Sequence, residues 1–105
     1  MPYKFTEQAE NDFDGIIQHT LENWGKNQAV NYVEGLEELL EKLVLMPTLG
    51  IKKDDLFKNL FAFGYVSHVV YYATDSGGIT VIRILHKRMD AKRHILELDP
   101  TLKSH

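Results

Sequence analysis

The sequence predicts an α+β domain: a small, mainly antiparallel β-sheet with an N-terminal helical hairpin packed on one face. Two segments, 7–24 and 27–44, repeat apolar residues every three or four positions, as amphipathic helices do. A third segment, 64–86, is rich in β-branched and aromatic residues around a turn-forming cluster, as in a β-hairpin. At 105 residues the chain can build one hydrophobic core but not two. The predicted order is β-α-α-β-β-β, to which a short C-terminal helix can be added.

The N-terminal elements are predicted from capping and periodicity. Residues 2–5 form a short strand with Tyr3 and Phe5 on one face, and Thr6 is a favourable helix N-cap. In the first helix, acidic residues occupy the first turns, where the helix dipole stabilises negative charge. Gly25 ends this helix. Its apolar stripe consists of Ala9, Phe13, Ile16, Ile17, Thr20, Leu21 and Trp24.

The second helix is expected to be antiparallel to the first. Asn27 can cap it, and Pro47 and Gly50 end it. A link of two or three residues between two such helices allows only a helical hairpin. Trp24 and Tyr32 flank the link and are predicted to hold the two helices together.

The β-hairpin is predicted from two apolar runs, 65–73 and 79–85, around the loop 74–78. Apolar residues occupy odd and even positions alike, which requires that both faces be covered or that the strands be central. A short strand at 60–63 precedes the hairpin, after an exposed loop marked by charged residues at 52–55. Asp90 or a neighbour caps a last helix through Leu98. The domain is predicted to span 1–98, and 99–105 to be a flexible tail.

The amino-acid composition limits the classes of protein to which this chain can belong. The hydrophobic and charged fractions, 44% and 26%, are those of an ordinary globular domain. The sequence has no cysteine, so disulfides and thiolate metal sites are excluded. No apolar run reaches the ~18 residues of a membrane span, and the first residues do not have a signal-peptide core. We therefore expect a cytoplasmic protein without a membrane partner.

Charge is divided along the chain. Residues 1–50 contain three lysines and nine acids, whereas residues 51–105 contain nine Lys/Arg and six acids. Five of these cations fall within eleven residues opposed only by Asp90. They are Arg83, Lys87, Arg88, Lys92 and Arg93. This basic patch is either a solvated end of the chain or a surface that meets an anion or an acidic protein.

The order of elements and several short strings resemble a ParE toxin of the RelE/ParE superfamily. The strings are Trp24-Gly25…Gln28-Ala29…Tyr32, Met46-Pro47…Leu49-Gly50, Tyr65…His68…Tyr71-Tyr72 and Ile82-Arg83-Ile84-Leu85-His86…Met89-Asp90…Arg93-His94. The resemblance covers nearly the whole chain. It implies a RelE/ParE-like fold and the toxin of a type II toxin–antitoxin system, which inhibits DNA gyrase as a protein inhibitor and is neutralised by a ParD-like antitoxin.

A second branch of the superfamily provides an alternative function. RelE-like toxins cleave ribosome-bound mRNA, which requires a base, an acid and cations for the phosphorane charge. Here these groups would be Lys52, Lys53, Arg83, His86 and His94. Against this, such nucleases have a denser basic face and a late tyrosine or histidine in a defined place, whereas the last tyrosine here is Tyr72. An inactive scaffold with the toxin fold is a third possibility.

Two surfaces are predicted from these residues. The target-binding residues are Arg83, His86, Lys87 and Arg88, although Arg83 could instead be a structural arginine that reaches Asp75 or Glu97. An apolar groove on the less covered face of the sheet is predicted to bind the antitoxin, through Val66, His68, Val70, Tyr72, Ile82, Ile84, Lys87 and Arg88.

No cofactor or metal is expected. His86, Asp90 and His94 have a helical ligand spacing, but His86 ends a predicted strand, so the three cannot align on one helix. Direct binding of nucleic acid is expected only within a complex with gyrase or the ribosome.

Overall fold

The structure, a computed structural model, describes residues 3–56 and 58–96. Its elements in chain order are β1 Tyr3–Phe5, α1 Glu7–Trp24, α2 Lys26–Leu45, β2 Ile51–Lys52, β3 Leu60–Tyr65, β4 His68–Asp75, β5 Gly78–His86 and α3 Ala91–Leu96. The predicted α+β class, helical hairpin and C-terminal helix are confirmed. The predicted end of the last helix at Leu98 and the tail 99–105 lie outside the described residues.

The sheet has five strands in the order β1-β5-β4-β3-β2. Only β1 and β5 are parallel, so the sheet is mainly antiparallel, as predicted. The prediction of an exposed loop after Gly50 missed β2, because two residues with charged neighbours carry almost no strand signal. Ile51 and Lys52 nevertheless pair with Ala62 and Phe61.

Thr6 joins α1 to the sheet. Its hydroxyl oxygen accepts a hydrogen bond from the backbone N–H of Ala9 at 3.0 Å, which confirms the predicted N-cap. The same hydroxyl donates to the carbonyl oxygen of Ile82 in β5 at 2.8 Å. This contact lies just beyond the pairing of β1 with β5, which ends at Phe5 and Val81. The first turn of α1 therefore follows directly along the edge of β5.

The two long helices are linked by Gly25 alone. Gly25 has φ +89°, a conformation that other residues rarely adopt, and this allows an abrupt reversal. Its N–H donates to Leu21 and its carbonyl oxygen accepts from Ala29. The prediction of a longer link with Asn27 as the cap is thus wrong, because α2 begins at Lys26 with Gly25 in the N-cap position. Asn27 is a favourable cap residue, but the reversal between the helices takes place at Gly25.

The helices cover one face of the sheet and build the main core. Its large, fully buried side chains come from α2 and from the central strands: Leu36, Leu40, Leu43, Val70, Tyr72, Ile79 and Val81. Tyr72 also ties the end of α2 to the sheet. Its hydroxyl donates to the carbonyl oxygen of Pro47 at 2.7 Å and accepts from the N–H of Gly50 at 3.0 Å.

A second, smaller core covers the opposite face of the sheet, whereas the length of the chain predicted only one. Ile95 of α3 is fully buried there against Leu60, Ala62, Tyr71, Ile82 and Leu85, with Leu56 packed at the margin. Ile95 of α3 and Leu56 thus cover apolar residues of the face on which an open groove was predicted. This double coverage explains why β4 and β5 are apolar at odd and even positions.

A β-bulge in β5 shifts which residues face the helices. Tyr71 pairs with Arg83 and Tyr72 with Val81, so Ile82 is the additional residue. Val81 lies in the core under the helices, Ile82 in the opposite core and Ile84 again under the helices. The bulge thus places Arg83 at the point where the alternation of faces is interrupted.

The turn between β4 and β5 is tighter than predicted, and the turn between β3 and β4 was not predicted. Asp75 pairs with Gly78, which leaves Ser76 and Gly77 as the loop between β4 and β5. The other turn consists of Val66 and Ser67, and it divides the predicted strand 65–73, so that Tyr65 ends β3. No helix in the described part of the chain is long and apolar enough to cross a bilayer.

Candidate functional site

A cleft lies at one end of the sheet, where the helical turn, the β3–β4 turn and the end of β5 meet. We call it the tip cleft. Its volume is about 350 Å³, and it is lined by His19, Thr20, Trp24, Gln28, Tyr32, Val66, Ser67, His68 and His86. In the part of the chain that the structure describes, its lining contains three histidines, one tryptophan and one tyrosine but no carboxylate. The tip cleft therefore offers hydrogen bonds and apolar surface, together with groups that become positive on protonation.

His68 is the central polar group of the tip cleft. Its Nδ1 lies 2.6 Å from the hydroxyl of Tyr32, and its ring meets that of His86 edge to face, with centroids 5.4 Å apart. Burial lowers the pKa of His68, and the nearby His86 and His19 lower it further, while Asp12 acts in the opposite direction. His68 is therefore neutral at pH 7.

The hydroxyl of Tyr32 lies beside His68 and stays protonated. Burial, with a smaller contribution from Tyr65, raises the pKa of Tyr32 to about 12, so its hydroxyl keeps its proton. That hydroxyl and Nδ1 of His68 share a hydrogen bond of 2.6 Å, in which the donor depends on the tautomer of the imidazole ring. Tyr65 fixes this arrangement by donating its own hydroxyl proton to the carbonyl oxygen of Tyr32 at 2.9 Å.

Arg83 lies outside the tip cleft and is bound to a carboxylate of α1. Its Nε and Nη2 donate to the two carboxylate oxygens of Asp12 at 2.7 and 2.8 Å. The N–H of Ile84 donates to the same carboxylate at 3.0 Å. Hydrogen bonding to Asp12 raises the pKa of Arg83 although burial opposes it. The structure thus favours a structural arginine whose partner is Asp12 and not Asp75, while Glu97 lies outside the described residues.

The other three predicted target-binding residues lie together. His86 lines the tip cleft, and Lys87 and Arg88 follow it in an exposed turn. The N–H of Lys87 donates to the carbonyl oxygen of Ser67, and the N–H of Arg88 donates to Nδ1 of His86. These bonds hold the two cationic residues against the rim of the tip cleft.

The predicted antitoxin-binding residues are divided by the fold. Val70, Tyr72 and Ile84 are buried under the helices and Ile82 is buried under α3, so these four do not form an accessible surface. The other four of the set remain accessible and lie at or beside the tip cleft: Val66, His68, Lys87 and Arg88.

The residues named for RNA cleavage are not assembled into one site. Lys52 lies in the edge strand β2 and is level with Val81 of β5. The two strands are three strand spacings apart, which is about 14 Å at the usual spacing. Lys53 follows Lys52. His94 belongs to α3, and only His86 lines the tip cleft. Among the described residues, no group of three histidine, aspartate or glutamate side chains could hold a metal ion.

The structure gives three residues, Trp24, Tyr32 and Asp12, surroundings that the sequence did not predict. Trp24 was expected to hold the helices together, but 71% of its surface is exposed at the rim of the tip cleft. Tyr32 contacts Tyr65 and His68 of the sheet. Asp12 was read only as an acid of the early helix, although it lies three residues after Ala9 and four before Ile16, on the apolar stripe. A carboxylate at such a position signals a buried cationic partner.

A helical hairpin on a mainly antiparallel sheet, with an exposed cleft and cations at one end, is the arrangement of a small toxin of the RelE/ParE type. The chain belongs to the family described as ParE toxin of type II toxin-antitoxin system, parDE, whose model matches residues 3–91.

Individual proteins agree with this assignment. The chain is 30% identical over 94 residues to Toxin ParE1 of Caulobacter vibrioides, covering 90% of this chain and 97% of that protein. It is 33% identical over 89 residues to Toxin ParE of Escherichia coli, covering 84% and 86%. A chain from the solved structure "Chromosomal ParDE TA system from P. aeruginosa" has the same fold, with a TM-score of 0.67 at 19% identity, covering 82% of this chain and 95% of that chain.

Proposed function

We propose that this ParE toxin inhibits DNA gyrase by trapping its cleaved DNA complex and that a ParD-like antitoxin neutralises it. The observation that supports a protein target is the tip cleft with its cationic rim. His86, Lys87 and Arg88 lie side by side there, and Trp24 and Val66 add exposed apolar surface. Aromatic and apolar surface bordered by charge is typical of protein–protein interfaces. The toxin would then act by occupying a surface of gyrase.

The antitoxin is expected to use the cations beside the tip cleft. An antitoxin tail that orders on binding would place carboxylates next to Lys87 and Arg88 and apolar side chains next to Val66. This proposal uses only the four accessible members of the predicted set. Because Lys87 and Arg88 also belong to the proposed gyrase contact, a bound antitoxin would block the target surface.

The order in which cellular syntheses stop tests the target. After induction of the toxin in a bacterial host, DNA synthesis should fall before protein synthesis, measured by pulse-labelling with thymidine and with an amino acid. The double variant Lys87→Glu/Arg88→Glu should abolish arrest, whereas Lys52→Glu/Lys53→Glu, an equal charge change at the edge strand β2, should not. If protein synthesis stopped first, with cut messages on ribosomes, the RNA-cleaving alternative would replace gyrase inhibition.

A further inference from the structure

Trp24 and Val66 are apolar residues whose positions the stability of the fold does not explain. Trp24 is the only tryptophan of the chain and ends α1 with 71% of its surface exposed. Tryptophan is strongly buried on average in folded proteins and is enriched among the residues that dominate binding energy at interfaces. Val66 is 65% exposed on the other side of the same cleft. Neither residue belongs to a core cluster.

Val66 is also strained. It has φ +54°, a left-handed conformation that is a genuine outlier for a β-branched residue. Glycine or asparagine adopts this conformation more easily, and the two-residue turn between Tyr65 and His68 requires it. An exposed valine in such a turn weakens the fold without filling a core. Backbone strain of this kind is concentrated at sites that bind partners.

The charges around the tip cleft define the kind of partner. Among the described residues, the lining contains His19, His68 and His86 and no carboxylate, and the backbone N–H of Lys87 is hydrogen-bonded to Ser67 at the rim. Asp12, which is near His68, is already paired with Arg83. A segment with carboxylates therefore complements this surface, and a segment with lysines or arginines would be repelled.

We propose that the tip cleft docks an acidic segment of the target protein, with an apolar side chain packed on Trp24 and Val66 and carboxylates beside Lys87 and Arg88. This proposal depends on the proposed function in one respect: the toxin must act on a protein. It identifies Trp24 as the main contact. Val66 adds apolar surface that the strained turn holds next to it.

Measuring growth arrest by matched variants tests this proposal whichever protein is the target. Trp24→Ala should require at least about 30-fold more protein for half-maximal arrest, the range of an interface hot spot. The control is Leu45→Ala, which truncates the last residue of the other long helix, 82% exposed and about 30 Å from the helical turn. Leu45→Ala should arrest growth like the unchanged protein. Both variants should keep its melting temperature within a few degrees.

Val66→Asn separates binding from folding. Asparagine tolerates the left-handed conformation, so the melting temperature should rise, while arrest should require about 10-fold more protein because the apolar contact is lost. If Val66 had only a structural role, a variant that is more stable would not also be less active. With Trp24 replaced by 5-fluorotryptophan, the single fluorine resonance should also broaden or shift when the target protein is added.

The results of these experiments test the tip cleft separately from the proposal that gyrase is the target. If the unchanged protein arrests growth without inhibiting gyrase, the gyrase proposal fails while the Trp24 comparison still decides the cleft. If Trp24→Ala arrests growth like the unchanged protein, the cleft is not the target site. The cleft is likewise not the target site if that variant loses only its affinity for the antitoxin. A protein that arrests no growth at all overturns both proposals.

Discussion

Replacing Asp12 by asparagine should destabilise the fold more than any other single change of charge we consider. The Asp12 carboxylate accepts three hydrogen bonds, two from Arg83 and one from the N–H of Ile84. Asparagine has almost the same shape but carries no charge and presents an N–H₂ group to these donors. Arg83 would be left with its charge largely buried and unpaired, since only 15% of each side chain is exposed.

The expected cost follows from this burial. Removing one partner of a buried ion pair costs about 3–5 kcal/mol, and the remaining exposure favours the lower end, about 3 kcal/mol. For a domain of this size the unfolding entropy is about 0.22 kcal/mol/K, so the melting temperature should fall by about 14 °C. This loss is a large part of a typical stability of about 5–15 kcal/mol.

The assay is urea unfolding at pH 7 together with thermal unfolding followed by circular dichroism. Lys52→Gln is the control, because it removes the exposed pair with Asp54 at 3.7 Å and should change the free energy of unfolding by less than about 0.5 kcal/mol. Arg83→Met should also destabilise, and the double variant Asp12→Asn/Arg83→Met should show a coupling of about 2 kcal/mol. A loss below about 1 kcal/mol for Asp12→Asn, or no coupling, would show that the pair does not hold α1 to β5.

Three further predictions concern the histidine, a buried tyrosine and the basic rim. His68→Gln should flatten the pH dependence of stability. Since burial lowers the pKa of His68 in the fold below the unfolded value of 6.5, the unfolded state binds more protons, and stability should fall as the pH drops from about 6.5 through the folded pKa. If the free energy of unfolding in urea fell equally between pH 7.5 and pH 5 in the variant and in the unchanged protein, this prediction would be refuted. Tyr72→Phe should cost about 1–3 kcal/mol in the same assay, because the Gly50 N–H loses its acceptor, and a neutral result would mean that water replaces the hydroxyl. Lys87→Glu/Arg88→Glu should weaken calorimetric binding of the antitoxin tail at least about 10-fold, and unchanged affinity would remove the rim from that interface.

The fold was largely predictable because its signals are local. Thr6 caps α1, glycine ends it, and apolar periodicity distinguishes the two helices from the strands. The turn at Val66 and Ser67 could not be predicted, because a β-branched residue in a left-handed turn contradicts the preferences on which such predictions rest. The two-residue strand β2 was missed for a related reason: it is defined by its partner β3 and not by its own composition.

The site was predictable only in part, because it depends on contacts distant in sequence. The charge of the segment after Arg83 indicated that it could bind a partner. The pairing of Arg83 with Asp12, 71 residues away, was not predictable, because it forms only when α1 lies along the edge of β5. Sequence reasoning placed Val70 and Tyr72 in a groove because it did not identify which face the helices cover. Residues of α1 and α2 in the tip cleft, such as His19 and Trp24, become neighbours of β4 and β5 only through packing.

The central claim, that this ParE toxin is a gyrase inhibitor, is tested most directly by adding the purified protein to gyrase and relaxed plasmid DNA. We predict that supercoiling stops and that cleaved DNA bound to gyrase accumulates after detergent and protease treatment, with both effects lost for Lys87→Glu/Arg88→Glu. Unimpaired supercoiling with no cleaved complexes, from a preparation that arrests growth when expressed, would contradict the claim.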